Sequence, residues 1–155
     1  MRNFFRKVGY GIGPNEQVPT DPLEWALDQV NDVPDLSWKG KIYSEKELRN
    51  HYKDWVYGDR KVLRKKYKDN KTLYKTHKDL LRHKTGQKFW ESLEISIRHN
   101  EGINSSHPVL AKLWMFWGNF FAISEKDFLA NYSTGPYHRE IIRPNLNQTF
   151  EKMVY

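Results

Sequence analysis

Apolar residues along this chain recur mainly three or four positions apart, and the gaps between stripes fall at residues that start or stop helices. A short helical start over Asn3–Lys7 gives way to a loop punctuated by Gly9, Gly11, Gly13, Pro14 and Pro19. Asp21-Pro22 is a start signal: the aspartate accepts from free backbone N–H groups, and proline lacks a donor where none is needed. Leu23, Ala26, Leu27 and Val30 then predict an amphipathic helix over 22–31, followed by a linker at Pro34, Ser37 and Gly40. Ser44 and Glu47 form a capping box, in which each side chain satisfies the other's backbone donor. Leu48, Tyr52, Trp55 and Val56 continue that stripe to Gly58-Asp59, which either breaks the helix or loosens it. From Arg60 to Arg82 the apolar positions thin to Leu63, Tyr67, Leu73, Tyr74, Leu80 and Leu81, as expected of a polar arm or hairpin bent near Asn70.

The second half is more apolar. Residues 88–100 fit a helix through Phe89, Trp90, Leu93 and Ile97, and a strand through Leu93, Ile95 and Ile97. The helix is favoured because the aromatic pair extends only that pattern, with Gly102 as its stop. After a start signal at Ser105–Pro108, Val109–Ile123 has only Lys112, Gly118 and Asn119 as non-apolar residues. A helix apolar on nearly all sides is expected to be buried. Ser124–Asp127 predicts another short helix, Gly135-Pro136 an interruption, and Tyr137–Ile142 and Leu146–Val154 the last helical stretches. The fold expected is all-α: one irregular helical domain over 1–155 built around a buried aromatic helix at about 107–122, with 60–88 as a basic helical arm. Its expected core is Leu110, Leu113, Trp114, Phe116, Trp117, Phe120 and Phe121, against Trp90, Leu93 and Ile97.

Charge sharpens this picture. Of the net +7, the segment Arg60–Lys88 alone carries +10, from twelve Lys or Arg against Asp69 and Asp79, which leaves −3 for the rest. Cysteine is absent, so disulfides, thiolate ligands and a cysteine nucleophile are excluded. No apolar run reaches the length of a membrane span, and the first residues lack a secretory pattern, so a cytoplasmic location is the expectation.

Candidate chemistry is sparse. The histidines His51, His77, His83, His99, His107 and His138 include no pair at metal-ligand helical spacing, so no metal or other cofactor is implied. His107 is expected in a first helical turn for structural reasons. Gly9–Gly13 is glycine-rich but follows no strand, so loop geometry explains it better than phosphate binding. Glu140 and Arg143 stand at i,i+3 spacing, suited to a salt bridge that fixes the last helices, with Arg143 also able to fork onto a carboxylate or phosphate. In the basic segment, Arg60, Lys61, Arg64, Lys65, Lys66, Lys68, Lys71 and Lys75 interleave with Tyr67 and Tyr74. That mixture suits a nucleic acid or other polyanion as readily as it suits a solvated face.

Three stretches resemble a bacterial family known as domain of unknown function 1800. They are Arg6–Gly11 with Gly13-Pro14, Phe116–Ser124 around Trp117 and Asn119, and Glu140–Leu146 with Arg143 and then Phe150. Where that family usually has a histidine in the tryptophan motif, this chain has Phe120, and the likeness covers the family's amino-terminal portion. The resemblance implies a largely helical fold, with exported members common, and lends no activity. The function expected is a structural or interaction role with no assignable catalysis; whether the chain is an enzyme stays open. The alternatives are polyanion binding through 60–88, or part of an enzyme whose site needs residues beyond 155. The partners to match are a protein, a carboxy-terminal half, or a polyanion.

Overall fold

The computed structural model describes residues 2–13, 15–124 and 129–154, and every regular element among them is helical. The helix expected to open at Ser124–Asp127 falls largely on residues outside that set. The chain divides into two compact units, neither continuous in sequence. The first takes residues 1–40, 96–122 and 137–155; the second takes 41–95 and 123–136.

In the first unit, α1 (Arg2–Val8) sets Phe5 edge-on against Trp25 of α2 (Pro22–Asn31), with ring centroids 4.9 Å apart. Asp21 caps α2 as the sequence predicts, accepting from the N–H groups of Leu23 and Glu24. The buried face of α2 keeps Ala26 of the predicted stripe but not its leucines. Leu23 and Leu27 are 61% and 55% exposed, while Ala26 and Gln29 are buried. Trp25 must meet Phe5, and the Gln29 side-chain Oε1 must accept from the Val109 N–H at 3.1 Å, so these two contacts set the helix's rotation. Val109 belongs to α7 (Pro108–Phe120), and its N–H is one of the donors that a helix leaves unsatisfied in its first turn.

The inner face of α7 is Val109, Leu110, Ala111, Trp114 and Gly118. Trp114 is 1% exposed, and its indole N–H donates to the His138 carbonyl at 2.9 Å. Phe116 and Phe120, expected in the core, are instead 58% and 61% exposed, and Trp117 and Phe121 are half-buried. The small residues decide this. A Cβ at Gly118 would stand 3.1 Å from the His138 ring, so the helix turns its glycine toward its neighbour and its phenylalanines outward. Lys112 is not a stray charge either: its ammonium donates to the carbonyls of Arg6, Lys7 and Gly9 and so caps the end of α1.

Helix α6 (Gln87–Asn104) settles the 88–100 ambiguity in favour of a helix and runs straight through Gly102, against which the Tyr10 ring packs. Its first half belongs to the second unit, so Trp90 and Leu93 pack there with Leu48, Tyr43, Tyr52 and Tyr132, not in the first unit's core. Leu48 lies on α3 (Glu45–Lys53), whose capping box is present as predicted, and Tyr132 on α8 (Ala130–Pro136). His51 stacks on Trp90 at 4.2 Å, and the Trp90 N–H donates to the Thr85 carbonyl.

Gly58-Asp59 loosens the chain without breaking it: residues 54–59 form a wide π-helical turn leading into α4 (Arg60–Lys66). Asn70 then caps α5 (Lys71–Lys84), at the predicted bend. Gly135-Pro136 ends the regular α-helix, but the chain stays helical. The chain passes from α8 into a second π-helical turn, Tyr137–Ile142, then a 3-10 turn, Arg143–Asn145. A proline without N–H breaks the regular ladder at this point, and the wider turn absorbs the defect. The last element of the first unit is α9 (Phe150–Val154).

Candidate functional site

Four places in the molecule gather polar or exposed aromatic groups. Inside the first unit, Glu101 is 2% exposed, and one carboxylate oxygen accepts from both the N–H and the hydroxyl of Ser37 at 2.9 and 2.8 Å. Its other oxygen meets Arg143 at 3.3 Å. The same guanidinium donates to the Pro34 carbonyl at 2.6 Å and lies 5.8 Å from the Trp114 ring. Asn100 completes the set by donating to the Ser37 hydroxyl at 2.9 Å.

The sequence pairs Arg143 with Glu140; the structure pairs it with Glu101, while Glu140 accepts from the buried Arg139 side chain. The π-helical and 3-10 turns at 137–145 undo the α-helical i,i+3 geometry that the pairing assumed. The cavity beside the pair is about 10 Å³, the room of a single water. Glu101 and Arg143 thus clasp the irregular Pro34–Ser37 segment, whereas the expected bridge fixed the last helices through Glu140.

His138, also buried, faces Gly118 and Arg98. Burial, with the charge of Arg98 adding to it, lowers its pKa to about 4, so the ring is neutral at pH 7. Among the described residues, no three His, Asp or Glu side chains converge as metal ligands. His107 is the N-cap residue of α7, makes no side-chain cap bond, and has its ring Nδ1 2.8 Å from the Ser106 hydroxyl.

A third place is an open cavity of about 450 Å³ over the glycine-rich loop, lined by Arg2, Arg6, Tyr10 and Glu16. Gly11 has a φ of +105°, which requires glycine. The Gly13 N–H already donates to the Glu16 carboxylate at 2.9 Å, so the loop answers its own donor with an anion of its own. In the same unit, Phe116, Trp117, Phe120, Phe121 and Phe150 form a contiguous aromatic face, with Phe150 50% exposed and tilted 5.8 Å from Trp117. Apolar faces of this kind mark contact surfaces on folded domains. Of the motif residues in this stretch, Asn119 is exposed.

The fourth place is the hairpin of α4 and α5 in the second unit. Neither helix has a single buried residue. Lys61, Arg64, Lys65, Lys66, Lys68, Lys71 and Lys75 are exposed and Arg60 is half-buried, so the whole predicted cationic set is carried on one two-helix projection. Aromatic contacts hold it together: Tyr67 and His77 stack at 4.6 Å with planes 4° apart. Burial raises the pKa of the Tyr74 phenol, but hydrogen bonds and charge from Arg60 and Arg64 outweigh it, and the net shift is downward. Asp79 pairs with Arg82, and Lys88 with Glu91.

Sequence reading missed one feature beside this hairpin. Val56, Tyr57, Arg60, Lys61 and Arg64 line an open cavity of about 370 Å³, with Tyr57 69% exposed. Tyr57, Lys61 and Arg64 recur at i, i+4 and i+7, and that spacing was the available signal.

No family model matches the chain, and no curated protein or solved structure is significantly similar to it. The resemblance read from the three motifs therefore rests on those motifs alone.

Proposed function

We propose that this chain is an interaction domain, and that the partner its geometry fits best is a polyanion met by the α4–α5 hairpin. The observation that carries this reading is the exposure of Lys61, Arg64, Lys65, Lys66, Lys68, Lys71 and Lys75 on a hairpin whose two helices have no fully buried residue. Crowding like charges raises the energy of the free protein through self-repulsion. A polyanion relieves that repulsion and gains entropy by releasing its own condensed counterions. The exposed aromatic face of the first unit suits the same general role, since a contact surface rather than a substrate cavity is its salient feature.

Titration of a fluorescent DNA oligomer at increasing salt tests the proposal. Affinity is expected to fall steeply with salt, and a variant with Arg64, Lys65 and Lys66 all changed to Glu is expected to lose most binding. Binding that is insensitive to salt, or that survives the triple reversal, would remove the hairpin from the function.

A further inference from the structure

We propose that the cavity at the base of the hairpin seats one nucleotide of a single-stranded nucleic acid, its base against Tyr57 and its phosphate on Arg64 and Lys61. The inference rests on the polyanion reading and narrows it to one ligand chemistry. Charge alone does not distinguish nucleic acid from a sulfated sugar or an acidic protein. An exposed aromatic ring set among the cations does, because only a nucleic acid brings flat bases along with its phosphates.

The local construction favours such a seat. Trp55, 1% exposed, anchors the π-helical turn from beneath, and the Arg60 N–H reaches back five residues to the Trp55 carbonyl. Beyond the anchor, Val56 is half-buried and Tyr57 is 69% exposed, and a Cβ built at Gly58 would meet nothing within 4 Å. The flank of the turn is thus open, and the Tyr57 ring lines the same cavity as Arg60, Lys61 and Arg64. Arg60 and Arg64 both line the cavity, and both draw the Tyr74 phenol's pKa down against the effect of burial. In a duplex the base faces are already stacked on each other and closed to Tyr57, so the ligand is single-stranded.

The experiment compares a short oligothymidylate with a sugar-phosphate oligomer of equal length that lacks bases, both fluorescently labelled, on the full chain. The wild type is expected to bind the oligothymidylate roughly fivefold or more tightly over the baseless oligomer. Tyr57→Ala is expected to erase that difference and leave the salt dependence unchanged, whereas Tyr57→Phe keeps it. Arg64→Gln is expected to weaken both ligands together and reduce the salt slope by about one. Circular dichroism confirms that each variant is folded. Equal binding of the two oligomers by the wild type, with a steep salt slope, would overturn the seat and leave the polyanion reading standing. A preference for bases that survives Tyr57→Ala would also overturn it. Absence of binding to either ligand would remove both proposals.

Discussion

Arg143 and Arg64 carry the same charge in opposite circumstances. Arg143 is buried among a carboxylate, a carbonyl and an indole, and the groups around it are satisfied by one another. Arg64 stands on an exposed helix flank within a segment of net charge +10. A desolvated charge is tolerable only with its partners in place, so removing one member leaves the other stranded. An exposed charge loses little when changed, and what it can do is act on something outside the chain. Placement, more than residue type, separates the charges that hold this protein together from those proposed to bind.

Stability measurements can break that contrast. Arg143→Ala is expected to cost about 3–5 kcal/mol, because Glu101 would keep its burial and lose its cation. The triple change of Arg64, Lys65 and Lys66 to Glu is expected to shift stability by less than about 1 kcal/mol. Urea denaturation of both variants decides; equal midpoints would mean that Glu101 and Arg143 are not a clasp.

The two faces of α7 allow the same test without charge. Trp114→Ala should cost roughly 3–5 kcal/mol through lost burial and the cavity left behind. Phe120→Ser, on a side chain 61% exposed, should cost under about 1 kcal/mol. Thermal melts in which Phe120→Ser proves as damaging as Trp114→Ala would show that the aromatic face is core after all.

His138 gives a smaller effect than Arg143 or Trp114 and adds pH. Its folded-state pKa, about 4, lies below the ordinary 6.5, so the unfolded chain takes up the proton first. The stability it permits is full above pH 6.5 and falls as pH drops toward 4, by on the order of 2–3 kcal/mol. His138→Gln should flatten the unfolding free energy across that window; a profile as steep as the parent's would assign the acid sensitivity to other groups.

The sequence by itself determined the helices and most of their ends. The caps at Asp21, Ser44 and Asn70 work through atoms two or three residues away, so they are legible without knowing the fold. It also determined that one short segment holds the positive charge, since composition does not depend on folding. Which face of each helix points inward was decided only by tertiary structure. In α7 nearly every position is apolar, so periodicity could not choose, and close approach at Gly118 turned Phe116 and Phe120 outward. In α2 the Trp25 packing and the bond from Val109 to Gln29 overrode the leucine stripe. Arg143 found Glu101 instead of Glu140 because partners 42 residues apart meet only after folding, when the turns at 137–145 have withdrawn the local geometry. The cavity at Tyr57 belongs to the same class: its spacing is written in the sequence, but the open π-helical flank that exposes it exists only in the folded chain.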